Sequence, residues 1–541
     1  MGLMSVVVIP ARNEQDTIAA CLSALARQSI SIEAFETILV ADACEDRTEA
    51  IARTTARELG LTLTVLEGPG AGSGPARRIG MDAAARRLAS LGLARGLIAT
   101  TDADSIPQPN WLERQLDHMF DGAQVIAGMI ELDEETATVL PEAVIRRRQR
   151  DAQDRMAQVA SLDPGAEHHH FAGASLGIAA ETYRQVGGID TLPALEDEAF
   201  AARLRAHGIP ILHPLDVRVR TSARADGRAR RGLSVDLAVS LWRETRRYTV
   251  RDFPIEHLRT LDRTASVAVV IPAKECAATV GQVLATTVAP LRAAGLVDDV
   301  VVIDAGSLDG TGDRAAAAGA RVLQQGDLAA ECGPALGKGD AMWRALLATD
   351  GDITCFLDAD TEDPTPDHLL GLLGPLLSDP AVALVKGAFE RPFRAGGQTL
   401  PHEGGRVTEL MARPLLNLHF PLLAGFSQPL AGEFAARREL LETLPFPAGY
   451  GVEIALLIDA LQRNRLDALA ECHLGTRQNR HQPLRALGEM AFAVLAAIER
   501  RIEGTRNATA GQYLRPWDDG STVRVPVIER PPIRSMVARA A

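Results

Sequence analysis

Three short motifs occur twice in this chain, in one order and at nearly constant separation, and no other feature narrows the fold so far. The first is an apolar run ending in Pro-Ala: SVVVIPARNE from Ser5 and SVAVVIPAKE from Ser266. The second is an apolar run closing on an aspartate, ETILVADACEDRT at Asp42 and DDVVVIDAGSLDGT at Asp304. The third is an apolar run closing on Asp-Ala-Asp, at Asp102–Asp104 and at Asp358–Asp360. Pro10 and Pro272 lie 262 residues apart, as do Asp42 and Asp304, and Asp104 and Asp360 lie 256 apart. Three motifs held in register imply two homologous domains. Within each, strands of four to six apolar residues alternate with helical stretches. That rhythm predicts an α/β fold: two tandem domains, each a mainly parallel, doubly wound sheet flanked by helices. In such sheets ligands bind beyond the carboxyl ends of the strands, where all three motifs fall. The expected division is 1–235, a helical linker 236–263, a second domain 264–503, and an extended tail 504–541 that carries a Pro-Pro stop.

Composition excludes several classes. The 541 residues carry a net charge of −13 and only 4% aromatics, which argues against a nucleic-acid partner. Hydrophobic content of 46% with 23% charge is that of a folded protein. Six widely spaced cysteines without a CxxC pair read as reduced thiols. The N-terminus lacks the basic and apolar regions of a signal peptide, and no uncharged apolar run reaches membrane-spanning length, so a cytoplasmic enzyme with no stable membrane insertion is expected.

Two carboxylates on alternate residues at a strand end suit a hard divalent cation, Mg²⁺ or Mn²⁺, which would neutralise a leaving diphosphate. A lone Asp-x-Asp is more often a polar turn. Its recurrence behind the same two upstream motifs is what favours chemistry. Later in the second half, Gly404-Gly405-Arg406 followed by Thr408 offers bare backbone N–H groups and a forked cation, a reasonable anion cradle. Lysine is rare, at Lys274, Lys338 and Lys386 only, and an acidic enzyme handling phosphates needs local cations such as Lys338, Arg406, Arg477 and Arg480.

Strand–P-A-x-N-E, strand–D-x-x-x-D-x-T and strand–D-x-D together resemble the nucleotide-sugar half of GT-A glycosyltransferases, in both domains. The resemblance implies that Pro10, Glu14, Asp42 and Asp102, and likewise Pro272, Asp304 and Asp358, contact a nucleoside diphosphate sugar. It also implies that Asp104 and Asp360 hold the metal. Residues 266–495 are similar to a narrower group, the glucosyl-3-phosphoglycerate synthases, through PALGKGDAMWRAL, FLDADTEDP, ALVKGAFERPF, GGRVTELMARPLL, PFPAGYGVEIALLID and LGTRQNRHQPL. That resemblance implies a retaining transfer of glucose, with UDP-glucose the expected donor, to 3-phosphoglycerate. Lys338 would meet the diphosphate, Gly405, Arg406, Thr408 and Arg477 the acceptor, and Glu453 both acceptor and sugar. Cys276 stands where the family pattern has a Glu. Asn479 occupies the place of a family metal-binding His, with His481 two residues on; imidazole, the better Mn²⁺ ligand, favours His481. The resemblance also implies dimerisation, although two domains in one chain leave internal pairing open.

The first half resembles the broad, inverting family-2 glycosyltransferases. Inversion needs a base, and Asp197, in Glu196-Asp197 opening a helix, has its place by motif position; the bland alternative is an acid favouring the helix N-terminus. His168–His170 reads equally as ligand or surface. Other readings are a first half kept as a non-catalytic scaffold, a transfer of mannose or to a related small acid, and a nucleotidyltransferase. The last usually shows a Gly-rich basic loop after the first strand, which PARNEQ and PAKECA do not supply. The Q-x-x-R-W signature of processive synthases is missing.

Overall fold

The computed structural model describes residues 4–133, 137–138, 140–225, 227, 231–261, 263–395, 398–400, 404–477, 483–502, 511–515 and 521–540. Backbone contacts divide the chain into two compact units, Met1–Leu241 and Trp242–Ala541.

In the N-terminal unit the repeat's apolar runs become the centre of a six-stranded sheet. Its order is Leu63–Glu67, Phe35–Ala41, Ser5–Ala11, Leu97–Thr100, Leu176–Ala179, Val125–Ala127. The first four strands are parallel, and Leu176–Ala179 runs against both its neighbours. Strand residues alternate between faces, and a central parallel strand is covered on both, so the run must be apolar throughout. Val6 and Val8 accordingly pack with the helix Ser73–Ser90. Val7 and Ile9 pack on the other face with Ile18–Ala26 and Thr48–Leu59.

The C-terminal unit has an eight-stranded sheet. From one edge it runs Arg321–Gln324, Asp299–Asp304, Val267–Ala273, Ile353–Phe356, Phe434–Arg437, Leu384–Glu390, Leu469–Thr476, Arg247–Thr249. Its first six strands repeat the order of the N-terminal sheet, with Phe434–Arg437 again antiparallel to its neighbours.

The duplication extends to single hydrogen bonds. Asn13 (φ 55°) and Glu275 (φ 53°) both turn left-handed after the first strand. The next N–H groups, of Glu14 and Cys276, donate to the hydroxyls of Thr48 (2.7 Å) and Thr311 (2.8 Å). Those of Gln15 and Ala277 donate to Asp46 (3.1 Å) and Asp309 (2.9 Å). The second Asp and the Thr of the D-x-T motif are therefore staples for the first-strand loop.

The stretch 236–263, expected as a helical linker, also supplies an edge strand, Arg247–Thr249, parallel to Leu469–Thr476. Residues expected to form an extended tail instead include a hairpin, Gln512–Arg515 with Ser521–Arg524, and a short pairing of Glu529–Arg530 with Phe446–Pro447. Burial of Asp340 is the physical reason: its carboxylate takes both Arg344 (2.9 Å) and Arg530 (2.5 Å). Trp343 Nε1–H also donates to the Pro531 carbonyl at 2.9 Å. Among the described residues no helix is long and apolar enough to cross a membrane.

His168–His170 is no surface triplet. His168 and His213 are 4% and 1% exposed, and ring centroids of His168 lie 5.5 Å from His170 and 5.6 Å from His213. Among the described residues no three or more of His, Cys, Asp and Glu come together as a metal-holding group. Burial, with His213 beside it, pushes His168 down to about 4; burial, with His169 and His168 near, pushes His170 down to about 3. Both rings are then neutral when folded and protonated when unfolded between those values and the ordinary 6.5, so their share of stability is full above pH 6.5 and falls as pH drops. Each titrates about 1.4 kcal/mol of stability per pH unit inside that window. His170→Phe should flatten the fall in Tm of the N-terminal unit between pH 6.5 and 4.5 relative to wild type, as read by calorimetry.

Candidate active sites

In the C-terminal unit the strand ends surround a cavity of about 710 Å³. Its lining includes Pro272, Lys338, Asp358, Asp360, Gly405, Arg406, Thr408, Glu453 and Arg477, brought together from across more than 200 residues of sequence. Lys338 opens the helix Lys338–Leu347 and Glu453 lies in the first turn of Val452–Arg463. A carboxylate is favoured at that helix end by the peptide dipoles. The Lys338 ammonium sits between two carboxylates, 2.6 Å from Asp358 and 2.9 Å from Glu453. Despite its burial, Lys338 and Arg477 hold the Asp358 carboxyl well below the usual range, and despite its own burial the two acids hold Lys338 well above its own. Small residues make room for this: a Cβ on Gly432 would strike both Asp358 and the Lys338 ammonium, and one on Gly337 would come 2.7 Å from the Ala448 carbonyl.

Arg477 is 1% exposed. Its guanidinium meets Asp358 (3.3 Å), Thr361 (2.8 Å) and Glu433, and lies over the Phe389 ring at 5.1 Å. Gly405 is left-handed (φ 71°) and, with Arg406 and Thr408, lines the same cavity. Asp304 does not line the cavity; it is 3% exposed and accepts from the Ser307 N–H (3.0 Å) and Gln324 Nε2 (3.1 Å). Asp360 is exposed at the rim and makes no ion pair with any described residue. Asn479, Arg480 and His481 lie outside the described residues.

Sequence reasoning passed over Arg391 and marked Lys386 only as a rare lysine. Arg391 lines the cavity with its guanidinium over Phe389 (4.9 Å), and the only hint was its place in the ERP turn after a strand. Lys386 is 1% exposed, lies 5.2 Å over Phe434 and is pushed by burial down to about 7; its rarity as a lysine was the available signal.

The N-terminal unit carries the corresponding set at its strand ends. Asp42, 2% exposed, accepts from the N–H groups of Gly70 (2.6 Å) and Gly72 (3.1 Å). The buried Arg77 ties Asp102 (2.7 Å) to Glu196 (3.2 Å) and donates to the Gly173 carbonyl (2.9 Å). Next to it Asp197 accepts from the Gly173 N–H at 3.4 Å, and burial with Glu196 beside it raises its carboxyl to about 6. Glu14 and Asp104 share one arginine, Arg224, at 2.6 Å and 2.9 Å. Burial and Asp102 raise Asp104 to about 6 even so. Arg77 and Arg224 were both missed, since nothing local in sequence marks which of many arginines turns inward.

The model of glycosyl transferase family 2 matches residues 6–179 and again 268–426, one segment in each unit. The chain belongs to glycosyl transferase family 2. Glucosyl-3-phosphoglycerate synthase of Mycolicibacterium smegmatis is 44% identical over 278 residues, which span 51% of this chain and 91% of that protein. Among solved structures, mannosyl-3-phosphoglycerate synthase of Rubrobacter xylanophilus is 42% identical, over 55% of this chain and 98% of its own, with a TM-score of 0.51. Glucosyl-3-phosphoglycerate synthase of Mycobacterium tuberculosis, solved with Mn²⁺, UDP-glucose and phosphoglyceric acid, is 41% identical over 52% and 95%, with a TM-score of 0.48.

The Lys338 bridge is the feature of this glycosyltransferase most open to test. Lys338→Met leaves Asp358 and Glu453 without their shared cation, and truncating one partner of a buried pair is costly. Turnover should fall at least about 100-fold, near 3 kcal/mol of transition-state stabilisation, with partial recovery in Lys338→Arg; steady-state release of nucleoside diphosphate reads the difference.

Proposed function

We propose that the C-terminal unit transfers a hexose, glucose in the first instance, from a nucleoside diphosphate sugar to 3-phosphoglycerate with retention. The observation that carries this is one cavity lined both by Lys338, clamped between Asp358 and Glu453, and by the Gly405–Arg406–Thr408 turn. An acceptor phosphate on that turn would receive backbone N–H groups and a guanidinium fork. The similarity at 44% identity to a glucosyl-3-phosphoglycerate synthase supports the acceptor. The Rubrobacter xylanophilus likeness keeps mannose as the alternative sugar.

In this reading Pro272 and Asp304 lie on the nucleotide side and Lys338 beside the diphosphate. Asp358 is engaged by two cations, whereas Asp360 offers an oxygen at the rim without a described ion pair, which fits a hard Mg²⁺ or Mn²⁺. Asp360 would hold it, with His481 as a further ligand. Such an ion, when bound, neutralises charge on a leaving diphosphate. The acceptor hydroxyl attacks the face the diphosphate leaves, and its proton passes to the departing phosphate oxygen. Glu453, held by Lys338, orients that hydroxyl and needs no covalent step.

The N-terminal unit, in the same proposal, performs a second, inverting transfer. Pro10, Glu14, Asp42 and Asp102 face its donor, and Asp197 takes the acceptor proton. A carboxyl near 6 is mostly ionised at neutral pH yet basic enough to accept a proton.

The assay is transfer to 3-phosphoglycerate from UDP-, GDP- and ADP-glucose and GDP-mannose with Mg²⁺ or Mn²⁺. Wild type and Asp104→Ala should form the glycosylated acid with its anomeric configuration retained, while Asp360→Ala should lose at least about 100-fold of the rate. No product from any donor, with nucleotide sugar still bound, would discard the acceptor.

A further inference from the structure

The two Asp-x-Asp motifs are in register but are not in the same electrostatic state. In the C-terminal unit Asp358 is paired with Lys338 and Arg477, and Asp360 makes no ion pair with any described residue. In the N-terminal unit the second aspartate is the one engaged. Arg224 reaches Asp104 at 2.9 Å while gripping Glu14 through both carboxylate oxygens, at 2.6 and 3.0 Å. Asp102 is meanwhile held at 2.7 Å by Arg77, itself 3% exposed. Both carboxylates of this motif therefore already carry a protein cation.

The anchor for Arg224 is sequence-specific. Glu14 sits 262 residues before Cys276, and their N–H groups make the same bond to Thr48 and Thr311. Only the N-terminal copy has a carboxylate there to form a bidentate pair with an arginine. The guanidinium keeps its charge at any working pH and matches carboxylate geometry with two parallel bonds, so it competes for Asp104 throughout. A divalent ion would have to displace it from two acids at once.

We propose that Arg224 is the resident cation of the N-terminal Asp-x-Asp, so that this unit handles a diphosphate-bearing ligand without a divalent metal, while the C-terminal unit requires one. This rests on the nucleotide-site reading of the N-terminal unit but is tested without any turnover. The full-length chain is titrated with Mn²⁺ and bound ion is counted by electron paramagnetic resonance. Asp104→Asn alone should leave the wild-type count unchanged. Arg224→Gln should add one equivalent per chain, and Arg224→Gln with Asp104→Asn should remove it again. A wild-type count that drops by one on Asp104→Asn overturns the proposal, and that arm stands even if Arg224→Gln fails to fold. So does an Arg224→Gln chain with unchanged Tm and no added equivalent. Asp360→Ala, measured in parallel, reports separately on the C-terminal metal reading.

Discussion

Lys338 is the interaction on which the C-terminal site depends. It joins Asp358 at a strand end to Glu453 at a helix start, and so fixes the sheet side and the helix side of one cavity against each other. Without it two acids would face each other in the cavity uncompensated, and their mutual repulsion would disfavour the ionised form of both. Its position is enforced from behind. Gly337 packs under the Ala448 carbonyl, and Asp340, two residues on from Lys338, is locked by Arg344 and Arg530. The last stretch of the chain thus helps, through Arg530, to hold the helix that the lysine opens.

The duplicated architecture shows how the same strand ends can be put to different electrostatic use. Both units keep the left-handed turn, the Thr staple and the Asp-Ala-Asp. They differ in where cations approach. The C-terminal unit neutralises its first aspartate and leaves its second at the rim; the N-terminal unit neutralises both, through Arg77 and Arg224. Glu14 against Cys276 is one of the differences that accompany the change. In a low-dielectric strand-end crevice the placement of one guanidinium outweighs much of the remaining sequence similarity.

Much of the fold was legible because the information is local. An uninterrupted run such as Val6–Ile9 suits a central parallel strand covered on both faces, and its repetition at Val267–Ile271 with the same motifs behind it signals a second such sheet. The motif aspartates were legible for a similar reason, since a strand end followed by a polar turn places them at one edge. The roles within D-x-x-x-D-x-T were not. Asp46 and Thr48 look as chemical as Asp42 in sequence, yet they hold the N–H groups of the first-strand loop, and Asp42 holds those of Gly70 and Gly72.

The sequence by itself determined that there are two mainly parallel sheets and the strand ends at which the motif aspartates gather, because apolar periodicity and motif register act over short spans. Tertiary structure alone decided which charges meet. Arg224 with Glu14, Arg77 with Asp102 and Glu196, Arg477 with Glu433 and Arg530 with Asp340 are partners from 25 to 210 residues apart. A long arginine can reach any of several acids, and only the packed backbone selects one, by burying it where an unpaired charge could not remain.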